Sequence, residues 1–148
     1  MQEFSPLFPH ETRIRIPMSM VDPGNVVYHS RYLDLYHEAR DRYMDAAGYD
    51  YGQLMDTGFH LAVVDARVHF RRPVRYLETA IIRTRIACIR NRSMRVVQDI
   101  HKEIQGKRQL CNTVEMSLVC IGPRFTATSI PQNLVDTLAR FQAQAKEV

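Results

Sequence analysis

The chain has no tryptophan, only three cysteines among 148 residues, and no apolar run near the roughly 18 residues that cross a bilayer. Cys88, Cys111 and Cys120 are odd in number and lack ligand-like spacing. They do not form a disulfide framework or a zinc ribbon, and are expected as reduced side chains inside apolar strands. Six scattered histidines without an H-E-x-x-H pattern give no expected metal site. The opening residues MQEFSPLFPHETRIR lack the basic start and apolar middle of a secretory leader, so a cytoplasmic location without membrane attachment is expected.

Acids are nearly absent from one segment. Between Arg67 and Arg95 stand nine arginines and the single acid Glu78, a local charge of +8 in a chain of net +4. Guanidinium forks suit phosphate oxygens and stay charged, so the band points to a phosphate-bearing partner. Alternate arginines on the wet face of a sheet, some paired to acids, would give the same pattern. Nucleic acid is not the expected partner, because no RNP-like, helix-turn-helix or zinc-finger pattern accompanies the charge.

A composition of 45% hydrophobic and 24% charged residues suits one globular domain spanning residues 1–148. TRIRIPM (12–18) alternates as a short strand with Ile14 and Ile16 on one face, and DPGN (22–25) is turn chemistry. From Ser30 the period becomes helical. Tyr32, Leu35, Tyr36, Ala39, Tyr43, Ala46 and Ala47 share a stripe, with Ser30 as N-cap, Asp34 in the first turn and Gly48 as the stop. YDYGQLMDTG reads as a short helical or irregular link.

Period two then governs HLAVVDARVHF, TAIIRTRIACI, SMRVVQDIHKEI and QLCNTVEMSLVCI. The predicted inward sets are Ala62, Val64, Ala66, Val68 and Phe70; Ala80, Ile82, Thr84, Ile86 and Cys88; Met94, Val96, Ile100 and Ile104; and Val114, Met116, Leu118 and Cys120. RNRS and QGKR are hairpin links, while Pro73 makes RRPVRY a connection. A closing helix is expected over about 131–146, with Leu134, Val135, Leu138 and Phe141 inward. One long helix and one antiparallel sheet must bury each other, giving an α+β fold of about residues 12–122 in which a curved sheet wraps the helix. Its open edges predict a homodimer or homotetramer.

The stretch VDPGNVVYHSRYLDLYHEAR resembles the signature of the 4-hydroxybenzoyl-CoA thioesterase family, acyl-CoA hydrolases of hotdog fold. Asp22, the turn Pro23-Gly24-Asn25, the aliphatic pair Val26-Val27, Tyr28, His29 and Tyr32 carry it, with Glu38-Ala39-Arg40 continuing along the helix. VHFRRPVRYLET and RNRSM match weaker family passages, so the similarity runs from about residue 12 to about 136. Two departures stand out. Asn25 replaces the usual turn glycine and must supply the positive φ itself, and Leu77-Glu78 carries its acid at a different spacing.

The resemblance implies hydrolysis of an acyl thioester carried by coenzyme A or an acyl carrier protein, with no cofactor beyond the coenzyme A of the substrate. Asp22 is the implied catalytic carboxylate, as nucleophile or as general base on water. Backbone amides near Tyr28, His29 and Ser30, at the positive end of the helix dipole, would hold the oxyanion. His29 is either a second catalytic group or a helix-entry residue, and Asp22 without the resemblance reads first as a turn residue bonding its own backbone. Tyr28, Ser30 and Tyr32 are candidates for contacting the acyl group, although tyrosines at helical spacing also suit the core. Arg90, Arg92 and Ser93 on a hairpin are the candidates for the nucleotide phosphates. A dehydratase would want a histidine and an acid acting across the substrate, which the Asp22 pattern fits less well. A binding module for acyl-CoA, or for phosphate and nucleic acid through the arginine band, would do without turnover.

Overall fold

The helical stripe becomes α1, Arg31–Ala47, in a computed structural model that describes residues 1–146; residues 147 and 148 of the expected domain lie outside the described residues. Tyr32, Leu35, Tyr36, Ala39 and Tyr43 are buried as the spacing requires. Gly48 ends the helix with φ 90°, a left-handed conformation that costs glycine nothing. Two details differ from expectation. Ala46 is exposed while Met44 is buried, and Ser30 occupies the N-cap position without a side-chain capping bond.

Around α1 runs a six-stranded antiparallel sheet. Its strands are β1 (Gln2–Glu3), β2 (His10–Arg15), β3 (His60–Phe70), β4 (Thr79–Ile89), β5 (Ser93–Ile104) and β6 (Lys107–Ile121). The order is β1-β4-β5-β6-β3, with β2 paired to residues 79–84 of β4 on the same side as β1. A short helix α2 (Tyr51–Asp56) follows α1, and α3 (Gln132–Ala143) closes the domain with Leu134 and Leu138 fully buried. One core cluster packs the first half of α1 against Ile16, Val74, Ile82, Ile100 and Met116. A second packs its last turns against Ile86, Met94, Leu118 and α3. Each large aliphatic side chain so buried contributes about 1.5–3 kcal/mol.

Bulges alter the expected faces. The register shifts at Val64 on β3, so Leu61 and Val63 stand opposite inward-facing Cys120 and Leu118, and Ala62 points away from the helix. A second shift at Ala87 sends Cys88 outward, opposite Arg95, and brings Ile89 inward opposite Met94. Ile104, expected inward, is 39% exposed near the end of β5. All three cysteines are free and buried in strands.

Two polar side chains of β5 act as anchors. Gln98, with no exposed surface, donates to the Tyr36 carbonyl at 3.0 Å and to Thr84 Oγ1 at 2.9 Å. The nearly buried Lys102 ammonium donates to the Pro73 carbonyl at 2.8 Å and to Glu78 at 3.2 Å, while Glu78 accepts from the Arg75 amide at 2.7 Å. Lys102 and Glu78 together fasten the irregular link 71–78 to β5. No helix among the described residues is long and apolar enough to cross a membrane.

Candidate active site

Asp22 lies in a narrow loop closed by its own amide donating to the Val26 carbonyl at 2.9 Å and by a Val21–Val27 bridge. Pro23 and Gly24 form the turn, and Asn25 takes φ 59°, supplying the positive φ that the sequence demanded of it. The Asn25 side chain is also used, since its Oδ1 accepts from the Tyr76 amide at 3.3 Å and ties the loop to the 71–78 link. Asp22 Oδ1 accepts from the Gly24 amide at 2.8 Å and, more weakly, from the Val26 amide at 3.4 Å. One carboxylate oxygen therefore builds the turn, and the other has no hydrogen-bond partner among the described residues.

The half-buried Asp22 borders a cleft of about 340 Å³. His29 and Tyr32 from the start of α1 line it together with Val26 and Val27, and Phe70, Arg71, Arg72 and Pro73 form the facing wall. Tyr32 is 4% exposed, and its ring meets Phe70 edge-on at 5.4 Å; burial raises its phenol pKa. The Arg71 and Arg72 amides both donate to the Cys111 carbonyl, at 2.8 and 3.0 Å, at a bulge where β6 carries an extra residue. Their guanidinium groups form no ion pair among the described residues, and Arg72 Nη1 makes only a 3.3 Å bond to the Leu110 carbonyl.

The helix entrance differs from expectation at one amide. The Tyr28 N–H is spent on the Met20 carbonyl at 2.8 Å, and the Val27 N–H on the Val74 carbonyl at 2.8 Å. The amides of His29 and Ser30 have no hydrogen-bond acceptor among the described residues, so the donors at this end are these two. The exposed Tyr28 ring packs against His29 at a tilt of 48°, with centroids 4.2 Å apart, and does not line the cleft. Ser30 is exposed, makes no side-chain capping bond and does not line the cleft.

Arg90, Arg92 and Ser93 are not brought to this cleft within one chain. Their hairpin joins β4 to β5 beside α3, where the Ile130 amide donates to the Asn91 carbonyl. That is the end at which α1 finishes, and a helix of 17 residues is about 25 Å long. Sequence reasoning passed over Phe70, Arg71 and Arg72 as site residues, although both arginines belong to the cationic band. The available signal was their place just after a strand and beside Pro73. Elsewhere the band does pair with acids: Arg83 grips Asp99 through two bonds of 2.9 and 2.6 Å and carries the Phe8 ring 4.1 Å above it.

A carboxylate with one unpartnered oxygen, two unbonded amides at a helix start and two unpaired guanidinium groups around one cleft can polarise a carbonyl, attack it and hold an anionic tail. The fold is shared with proteins of known structure. A hypothetical protein of Thermus thermophilus is 27% identical, with a TM-score of 0.81 over 88% of this chain and 98% of its own. A DHNA-CoA thioesterase of Staphylococcus aureus shares 21% identity and a TM-score of 0.81 over 90% of each chain. A second S. aureus protein, solved in complex with CoA, shares 11% identity and a TM-score of 0.83 over 100% of this chain and 90% of its own. These likenesses give the hotdog fold. The family model of the thioesterase-like superfamily matches residues 16–138, a broader group than the 4-hydroxybenzoyl-CoA family that the motif resembles. The chain belongs to the thioesterase-like superfamily, and its class is that of the thioester hydrolases.

Proposed function

We propose that the protein hydrolyses an acyl-CoA thioester in the cleft beside Asp22, releasing the free acid and coenzyme A. The observation that carries this is the division of labour in the Asp22 carboxylate: Oδ1 is fixed by the Gly24 amide at 2.8 Å, while Oδ2 is left for chemistry next to the cleft. The His29 and Ser30 amides, with the dipole of α1 behind them, hold the carbonyl oxygen as charge develops on it. Oδ2 either attacks the carbonyl carbon, expelling the thiolate and leaving an acyl anhydride for water to open, or takes a proton from an attacking water. His29 lines the cleft where it can orient that water. Arg71 and Arg72 meet the phosphates of coenzyme A, a role the sequence suggested for Arg90 and Arg92. The CoA-bound structural neighbour supports a coenzyme A ester over a carrier protein as the thiol.

A second copy of the chain fits along β3. This edge strand leaves Val63, Val64 and Phe70 exposed at 47, 61 and 58%, and Phe70 also lines the cleft. A homodimer formed there would complete the cleft wall.

The test is thiol release from a panel of short, long and aromatic acyl-CoAs, followed by single-turnover hydrolysis in ¹⁸O-water. Turnover is expected with at least one panel member. Unlabelled acid in the first turnover assigns the anhydride route, because its oxygen then comes from Asp22. Labelled acid means that water attacks the acyl carbon, either in the thioester itself or in the anhydride; a burst of thiol ahead of free acid then marks the anhydride, and equal rates of thiol and acid release mark the general base. No thiol release from any coenzyme A or carrier-protein ester would reject the proposal in favour of binding without turnover.

A further inference from the structure

A cavity of about 150 Å³ lies beneath the second half of α1 and shares no lining residue with the Asp22 cleft. Its walls are mainly apolar, from Ile86, Met94, Val96 and Leu118 on the sheet and Leu138 on α3. Arg40 lines it from α1, with Nη1 donating to Gln98 Oε1 at 3.2 Å and Met116 Sδ at 3.1 Å. No carboxylate pairs with it among the described residues. Burial lowers its pKa to about 10, opposed by Tyr51, so the group is still a cation at neutral pH. A half-buried cation without a counter-ion has lost part of its hydration, and an acceptor entering the cavity would offset that cost.

Two hydroxyls border the same space with their protons unused. Tyr51 accepts from the Leu61 amide at 2.8 Å and Thr84 accepts from Gln98 Nε2 at 2.9 Å, and neither donates to a described residue. The Tyr43 hydroxyl is committed to Gln142 at 3.0 Å, while His37 and Asp41 are exposed where the cavity meets the surface. Two hydroxyl protons without acceptors and a guanidinium without a carboxylate, set in apolar walls, call for a ligand that only accepts hydrogen bonds and brings an apolar body. A carboxylate is acceptor-only and matches a guanidinium fork. An engineered cavity of about 150 Å³ holds a benzene ring, which sets the size of the body.

We propose that this cavity binds a small carboxylic acid of about ring size, with the carboxylate on Arg40, Tyr51 and Thr84 and the apolar body against β4, β5 and β6. The acid arrives either free or as the acidic end of an acyl chain on a thioester. Binding here does not depend on hydrolysis at Asp22, and the two are tested separately.

Calorimetric titration of the intact protein with benzoate and with benzamide, a neutral probe of nearly the same shape, decides it. Benzoate is expected to bind at least about 10-fold more tightly, the effect of one charge-assisted interaction. Arg40→Gln should abolish that preference, and Tyr51→Phe should weaken benzoate by about 5-fold. Arg71→Gln should leave the preference intact. Equal affinities for the two probes in the unmodified protein would overturn the proposal without any variant, as would an undiminished benzoate preference in folded Arg40→Gln. Competition with glutaryl-CoA and butyryl-CoA separates the sources. A glutaryl preference erased by Arg40→Gln means the acid is carried on the thioester; equal binding of both esters, with the benzoate preference retained, means it enters free.

Discussion

Replacing Asp22 with asparagine removes a charge while keeping the atom that shapes the loop. Asparagine Oδ1 can still accept from the Gly24 amide, now 2.8 Å from the carboxylate oxygen, and from the more distant Val26 amide at 3.4 Å. A charge-assisted hydrogen bond is worth about 1.5–3 kcal/mol and a neutral one about 0.5–1.5, so one good bond weakens by about 1 kcal/mol. In a chain of this length that lowers Tm by about 3 °C. The chemical loss is larger, because asparagine is neither a nucleophile nor a base. Losing general-base help alone costs about 10²–10⁴-fold, which is about 3–5 kcal/mol at 1.36 kcal/mol per decade. The assay pairs coenzyme A release, read with a thiol-reactive chromophore on the best panel substrate, with thermal melting of the same sample. The expected result is kcat/KM down by at least about 100-fold in a protein that melts only a few degrees lower. A folded variant that keeps turnover within about 3-fold of the parent would refute the assignment of Asp22 as the catalytic carboxylate.

Gly24→Ala places a Cβ 3.1 Å from Asp22 Oδ1, so the carboxylate must give by a few tenths of an ångström; kcat should fall by about 10-fold with Tm little changed, and an unaltered kcat would show that its exact placement is unimportant. The double change Arg71→Gln, Arg72→Gln should raise KM for coenzyme A esters by about 10-fold and flatten its salt dependence, with kcat held; no change in either would place the phosphates elsewhere. For Asp99, burial pushes the carboxyl pKa up, but the two hydrogen bonds and the charge of Arg83, with the His101 ring 3.3 Å away, outweigh it and the net direction is down. Its folded pKa thus lies below the unfolded value of about 3.9, so its stabilisation is complete above that pH and is lost as acid drives the pH below it. Tm should drop on acidification below about pH 4, and Asp99→Asn should flatten that limb; identical acid limbs would contradict the reading. Tyr36→Phe deletes the 2.6 Å bond from a buried hydroxyl to Asn112 Oδ1, in a pair whose Asn112 Nδ2 already lacks a partner. Urea unfolding should show a loss of about 1–3 kcal/mol at unchanged m, and a loss under about 0.3 would mean that the pair is idle.

Sequence reading and structure agree where the information is local. The limits of β3, β4 and β5 coincide with the alternating runs, and Gly48 ends α1 where the pattern stops. The bulges at Val64 and Ala87 were invisible, because one extra residue leaves composition unchanged and appears only when a partner strand fixes the register. The same distinction holds at the site. Asp22 and His29 are seven residues apart, so a single motif carries both. Phe70 and Arg71 reach the cleft only through the pairing of β3 with β6, and the Tyr28 amide is taken by a carbonyl that no spacing rule assigns. The arginine band was legible as charge. Which of its members stood beside the acid was a question of topology.

The ammonium of Lys102 gives the cleft an unusual kind of wall. Residues 71–78 belong to no ladder, yet this cation clasps Pro73 and Glu78 from beneath and pins them against β5. The exposed side chains at 75–77 can therefore be exchanged without reregistering a strand, provided positions 73, 78 and 102 keep their clasp and Val74 stays in the core. Substrate range in such a scaffold can drift through a hanging strip while the sheet around the helix stays as it was.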